Sequence, residues 1–205
     1  MIMMDTSSSS SLSIQPDVKT YTTVIKAWSK SNATDAPEQC QRLLDEMTKA
    51  TTTTTLEPNM VAYSAVMDAY ARRGRAKEAE QVLRQMMMNG DEIEPSTRSF
   101  NIVLNAWSKS SLNKNNNNVT DDIALQQCKR LLEEMKQRAS IVDDANQNAV
   151  VAPNTVTYDT IIHAYASRGR AREAEELLRE MMKMASTTAR GIVKPDVRSF
   201  NVVLK

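Results

Sequence analysis

The chain has 205 residues, with 26 Lys and Arg against 25 Asp and Glu, a net charge of +1 at pH 7. That balance gives no bulk pull toward nucleic acid, so a functional basic surface has to be local. Two cysteines argue against a disulfide scaffold and allow a reducing compartment, and the longest apolar runs fall far short of a membrane span.

Residues 1–15 are Ser-rich and contain no Lys or Arg. They lack the charged start of a secretory signal and the arginines of an organellar transit peptide, and they read as a disordered segment with no visible targeting peptide. From Pro16 a single phrase begins to recur. Pro16-Asp17-Val18-Lys19-Thr20-Tyr21-Thr22 is followed by copies at Pro58, Pro95, Pro153 and Pro195. Each has Pro, a small polar residue, three further residues, an aromatic ring and another small polar residue. Self-similarity of this kind is the mark of a repeat array.

In the first copy Tyr21, Val24, Ile25 and Trp28 fall at helical spacing, and Glu38 to Met47 form a second amphipathic pattern. The second copy repeats this with Tyr63, Val66, Met67 and Tyr70, then with Arg75 to Met86. The third has Phe100, Val103, Leu104 and Trp107, then Gln126 to Met135. The fourth has Tyr158, Ile161, Ile162 and Tyr165, then Arg170 to Met181. The Pro followed by Asp, Asn or Ser predicts each helix start. Gly74 and Gly169 predict a left-handed turn between two helices, and Pro37 sits where a first-turn proline is tolerated.

The predicted unit is therefore a helix–turn–helix, and neighbours must stack to bury its apolar face. The expected fold is an all-α, right-handed α-solenoid occupying residues 16–205. Its repeats span about 18–59, 60–96, 97–154 and 155–196, with a partial one at 197–205. Polar stretches at 51–55, 111–118 and 141–152 lie between helical patterns and read as loops outside the ladder. Copies one and three share Ala-Trp-Ser-Lys, and copies two and four share Arg-Gly-Arg-Ala, which points to duplication of a two-repeat block. The array lacks polar capping repeats, so both ends read as cut from a longer protein.

Residues that look catalytic align with structural ones. Cys40 and Cys128 hold the place of Ala79 and Ala174, which predicts small core packers. His163 aligns with Lys26, Asp68 and Asn105 at an outward polar position and has no partner for a metal or triad role. Met47, Met86, Met135 and Met181 share one second-helix site and read as core. No phosphate-cradling glycine loop occurs. The expectation is no enzyme, no metal and no cofactor.

One pattern is more specific. The residue behind each ring is Thr22, Ser64, Asn101, Asp159 or Asn201, always small, polar and a poor helix former. The residue after each Pro is Asp17, Asn59, Ser96, Asn154 or Asp196, which helix capping explains. Side chains that both donate and accept, one per repeat, are what reading a base edge requires.

These phrases resemble the pentatricopeptide repeat family of organellar RNA-binding solenoids. Thr155-Val156-Thr157-Tyr158-Asp159-Thr160-Ile161-Ile162 and Gly191-Ile192-Val193-Lys194-Pro195-Asp196 are close to its consensus. The resemblance implies single-stranded RNA as the partner, about one base per repeat, without DNA or membrane. It implies work on transcript processing, stability or translation in mitochondrion or plastid.

The resemblance also implies that bases are read by Thr22 with Asn59, Ser64 with Ser96, Asn101 with Asn154, and Asp159 with Asp196, with Asn201 opening a further pair. By the same resemblance the first pair suggests adenine and the third a pyrimidine, while the second and fourth fit no well-established pairing. Val61 and Val156 match the family's base clamp, whereas Lys19, Arg98 and Arg198 depart from it, offering stems and charge instead. Lys30, Arg72 and Lys109 match its phosphate partners, and Ser167 does not. Two other readings stand beside this one: a protein-interaction scaffold using the solenoid groove, or the substrate-binding half of an RNA-processing enzyme.

Overall fold

Proline and a capping side chain open the first helix of each unit, and glycine or a short turn closes it. The computed structural model describes residues 16–50, 56–89, 93–110, 118–141, 151–187 and Pro195. Within these the chain forms α1 (Val18–Lys30), α2 (Ala36–Ala50), α3 (Met60–Ala71), α4 (Ala76–Met88), α5 (Thr97–Ser110), α6 (Asn118–Ile141), α7 (Thr155–Ala166) and α8 (Ala171–Thr187), with no strand among the described residues. The chain is an all-α solenoid of stacked helix–turn–helix units. Residues 1–15, 51–55, 111–117, 142–150 and 196–205, on which several expectations fall, lie outside the described residues.

The caps sit where the sequence places them. Carboxylate or amide oxygens of Asp17, Asn59 and Asn154 accept from the backbone N–H three residues on, at 2.7, 2.9 and 3.1 Å. Ser96 does the same for Ser99 at 3.3 Å. Such a cap contributes about 1 kcal/mol. At the other end, Gly74 and Gly169 adopt φ of 69° and 71°. This lets the N–H groups of Arg75 and Arg170 return to the carbonyls of Tyr70 and Tyr165 at 3.1 and 3.0 Å.

First helices pack on one another in a row, α1 on α3, α3 on α5 and α5 on α7, while α2, α4 and α6 each pack on the first helices before and after them and α8 packs on α7. Buried Ala62, Ala65, Ala69, Ala106 and Ala164 permit the close approach of the first helices. Successive second helices do not approach closely. Long side chains bridge them instead, as in Gln41 to Gln85 at 3.2 Å and Lys136 to Glu180 at 2.5 Å. A tight row on one side and a spread row on the other bends the stack, so the first helices line its inner face.

Burial follows from this arrangement. Tyr63, Phe100 and Tyr158 are fully buried, as are Met47, Met86, Met135 and Met181, and Cys40 and Cys128 pack at the sites of Ala79 and Ala174. Each large ring or methionine contributes about 1.5–3 kcal/mol when so buried. The phenol of Tyr63 accepts from Asn89 at 2.9 Å, and that of Tyr158 donates to Glu180 at 2.9 Å. Helix α3 is buried around most of its girth because α1, α2, α4 and α5 all touch it.

Two expectations change. The second helix of the third unit begins at Asn118, well before Gln126, because Ala124 and Leu125 extend its buried stripe toward Cys128, Leu131, Leu132 and Met135. In α1 the stripe is only partly covered. Ile25 is fully buried, but Val24 is exposed and Tyr21 and Trp28 are half-buried, since no described helix packs on that side of α1.

Arginines tie the units together in a pattern that repeats every second junction. Arg73 donates to the carbonyls of Ala69, Ser31 and Ala33, crossing from the second unit to the end of α1. Arg168 does the same to Ala164 and Ser108, at 2.9 and 3.1 Å. Arg75 pairs with Glu38, and Arg170 with Asp122 at 2.7 Å. The middle junction is built differently, around Glu80, which accepts from Trp107 Nε1 at 2.9 Å and from Arg130.

Candidate nucleic-acid interface

The residues singled out behind each ring lie on the first-helix row, but not in equal environments. Thr22 is buried, with 7% exposure, and its hydroxyl donates to the Val18 carbonyl at 2.7 Å, leaving only lone pairs to offer. Ser64, Asn101 and Asp159 are half-buried. Asp196, Arg198 and Asn201 lie outside the described residues.

Of the expected pairs, Asn101 and Asn154 are held in direct contact. Asn101 Nδ2 donates to Asn154 Oδ1 at 3.3 Å, and Thr157 Oγ1 lies 2.8 Å from Asn101 Oδ1 and 3.0 Å from Asn154 Oδ1. The backbone N–H of Asn154 donates back to that hydroxyl at 3.1 Å, closing a capping box. The segment before α7 is pinned against α5 by Thr97, whose hydroxyl donates to the Ala152 carbonyl at 2.9 Å and accepts from its N–H at 3.1 Å. This latch carries Asn154 to Asn101 across a long insertion. No hydrogen bond joins Thr22 to Asn59 or Ser64 to Ser96; Asn59 caps α3, and Ser96 shares its hydroxyl with Ser99 at 3.3 Å.

Asn101 and Asn154 open onto a groove of about 630 Å³ along α3, α5 and α7, lined also by Arg98, Val156, Asp68 and Asn105. Val156 and Val61 are 57% and 43% exposed, apolar surfaces left bare on the inner row. Lys19 and Arg98 are exposed at the places where the clamp pattern is broken. Lys30, Arg72 and Lys109 are exposed at the C-terminal ends of α1, α3 and α5. Cations are favoured there by the helix dipole in any case.

Asp68 and Asn105, which line the groove, and Thr157, fully buried behind it, were not assigned to the site by the pattern reading. Asp68 follows Ser64 by four positions and Asn105 follows Asn101 by four, so both share the face of the residue behind the ring, one turn on. That periodicity was the available signal; their polar character alone suggested an outward face. Burial raises the Asp68 carboxyl above its ordinary value, while nearby Arg98 and Arg72 pull it back. The signal for Thr157 is a hydroxyl three residues after a capping Asn. Among the described residues no cluster of His, Cys, Asp and Glu suits a metal ion, and no helix is long and apolar enough to cross a membrane.

Two family models match the chain, one described as a PPR repeat over residues 151–182 and one as a PPR repeat family over residues 58–109. Among similar proteins of Arabidopsis thaliana, one pentatricopeptide repeat-containing protein is 24% identical over 185 residues, covering 90% of this chain and 26% of its own length. A second, named chloroplastic, is 25% identical, covering 93% of this chain and 20% of its own length. The chain thus spans about a quarter of the length of these relatives. Among solved structures, the pentatricopeptide repeat protein PPR10 from maize superposes with a TM-score of 0.66 at 23% identity, over 93% of this chain and 22% of the other. PPR10 in complex with an 18-nucleotide psaJ RNA element gives 0.64 at 22% identity, over the same 93% and 22%. These likenesses carry the solenoid fold.

Proposed function

Since the chain belongs to the pentatricopeptide repeat family, we propose that it binds single-stranded RNA along the inner row of first helices. The observation that carries this is the Asn101–Asn154 pair, two amides locked together at the mouth of an open groove between Arg98 and bare Val156. Unpaired bases are read by edge hydrogen bonding and by stacking on flat or apolar neighbours, and the groove offers both. PPR10, which shares this fold, has been solved with RNA bound.

In this reading each unit takes about one nucleotide, with units at about 18–59, 60–96, 97–154 and 155–196. Thr22 with Asn59, Ser64 with Ser96, Asn101 with Asn154 and Asp159 with Asp196 face successive bases. Lys30, Arg72 and Lys109 meet phosphates. The work is occlusion or remodelling of an organellar transcript, affecting its processing, stability or translation. A plastid setting is favoured by relatives named chloroplastic.

Fluorescence anisotropy with a labelled 12-nucleotide single-stranded RNA pool tests this. Three phosphate contacts at about −0.7 each predict a log K against log salt slope of about −2. Binding that is equally strong for a duplex of the same length, or that shows no salt dependence, contradicts the reading.

A second reading, a protein-interaction scaffold, draws on a different surface. Exposed Met88 and Ile123 line a groove of about 540 Å³ beside Trp107, between α4 and α6. Exposed apolar surface of this kind marks protein contacts. Copurification of one partner lost on Met88→Asp and Ile123→Asp, with RNA binding intact, would favour it.

A further inference from the structure

We propose that a cavity between α6 and α8 is a binding site for an arginine side chain presented by a protein partner. The cavity measures about 130 Å³, with Ile161 and Tyr165 of α7 below it and Glu133, Glu173, Glu176 and Glu180 around it. It opens on the side of the second helices, and its use does not depend on RNA binding.

The two other junctions show what a guanidinium does in this setting. Across the middle one, Arg84 of α4 forks onto Glu134 of α6, both contacts at 2.7 Å. Counted back from Met135 and Met181, the same two places between α6 and α8 are held by Glu133 and Glu180. Two acids stand where the neighbouring junction has a base and an acid. At the first junction the Arg75 guanidinium lies over the Tyr70 ring, 5.0 Å from its centre. Tyr165 takes the place of Tyr70, but the matching Arg170 pairs with Asp122 and Glu173, at 2.7 and 2.6 Å, and makes no ring contact. The last junction keeps the acid and the ring that arginine meets elsewhere, without a guanidinium on either.

Protein cations answer only part of this charge. Lys136 bridges Glu133 and Glu180 at 2.8 and 2.5 Å, one ammonium for two carboxylates. Glu176 has no ion pair among the described residues, and neither has Lys129 on the opposite wall. In α4 the places of Glu176 and Glu180 are neutral, Gln81 and Gln85. There Gln85 closes the gap by bonding Gln41 at 3.2 Å.

Tyr165 points to a ligand on separate grounds. Its side chain is 8% exposed, and its hydroxyl has no hydrogen-bond partner among the described residues. Among them, no side-chain polar atom wholly shut off from solvent lacks a partner, so this hydroxyl opens on the cavity it lines. Burial raises the phenol above its ordinary value, helped by nearby Cys128, Glu173 and Glu176 and opposed by Arg170. It stays neutral and can accept from a cation.

A metal ion does not fit, since no such groups among the described residues lie close enough to share one. A guanidinium does. Its fork matches a carboxylate, its flat face rests on an aromatic ring, and it sheds water more readily than an ammonium. Free arginine would bring its own carboxylate against Glu176, so the side chain has to arrive on a peptide. The same acids repel a phosphate backbone.

NMR titration of isotope-labelled protein tests this, using acetylated and amidated Gly-Arg-Gly. The same peptide with lysine or citrulline at its centre, and spermidine as a non-peptide cation, serve as comparisons. The arginine peptide should shift amides of α6, α7 and α8 saturably and leave α1 to α3 unmoved. The lysine peptide should bind at least about threefold more weakly, and the citrulline peptide should not bind. Glu176→Gln and Tyr165→Phe should each weaken the arginine peptide at least about threefold, since each removes one charge-assisted contact. Melting temperatures confirm that both variants fold, and their affinity for single-stranded RNA should match wild type. No saturable shift, equal affinity for the lysine peptide, tighter binding of spermidine, or undiminished binding by both variants overturns the site. All four outcomes leave the RNA reading standing.

Discussion

Arg84 and Glu134 face each other across the middle junction as a bidentate pair, Nη1 to Oε1 and Nη2 to Oε2, both at 2.7 Å. Their side chains are only 28% and 21% exposed. Two parallel charge-assisted bonds in that setting fix distance and orientation together. Arg84 also reaches Glu80 at 3.2 Å, and Glu80 holds Trp107, so one network joins α4, α5 and α6.

Glu134→Ala should destabilise the protein by about 1–3 kcal/mol, because Arg84 keeps its burial and loses its main acceptor. Urea unfolding checks this. Burial pushes the Glu134 carboxyl up, but the Arg84 and Arg138 guanidiniums outweigh it and hold the group below its ordinary value of 4.5. A depressed folded value means stability that is present above the unfolded value and lost as pH falls through the folded one. Wild type should therefore lose stability below about pH 4.5, and the variant should show a shallower loss there.

Removing either arginine clamp should leave orphan carbonyls at a first-helix end. Arg73→Ala exposes those of Ser31 and Ala33, and Arg168→Ala that of Ser108. Each should cost about 1–3 kcal/mol in chemical denaturation. Faster hydrogen exchange should appear at the α1–α3 contact for Arg73→Ala and at the α5–α7 contact for Arg168→Ala. A uniform change along the array would contradict the local role.

Neither cysteine should react in the native state. Burial pushes the Cys40 thiol to about 11 and the Cys128 thiol to about 12, and Cys40 Sγ points at the Ile25 carbonyl, 3.5 Å away. The thiolate is the reactive form. Iodoacetamide at pH 8 should label neither site until denaturant is added, and then both; native labelling of either contradicts its buried placement.

Gly169→Ala isolates backbone strain, because a Cβ there would meet nothing within 4 Å. With φ at +71° the cost should be about 1–2 kcal/mol. Gly169→Asn should cost less, since Asn tolerates that region. Equal melting temperatures for wild type and the alanine variant would contradict the turn geometry.

Much of this was legible in the sequence because the signals are local. Pro58-Asn59 announces its cap, Gly74 its turn, and Met86 its core site, each within a few residues of the structure it makes. The α6 start escaped because Asn118 opens no familiar phrase, and only packing of Ala124 and Leu125 reveals the extra turns. The groove escaped for another reason. Asp68 and Asn154 lie far apart in sequence and meet only through the stacking of α3, α5 and α7, while Thr157 matters through a neighbour in the preceding unit. The depth of Thr22 depends on α3, which the residues around it do not encode.

The most direct measurement is single-stranded RNA binding by a variant carrying alanine at Thr22, Ser64, Asn101 and Asp159, with helical content verified by circular dichroism. Each base contact is worth about 1–3 kcal/mol, so affinity should fall at least about tenfold while the solenoid stays folded. Undiminished retention of RNA by that variant would contradict base reading along the first-helix row.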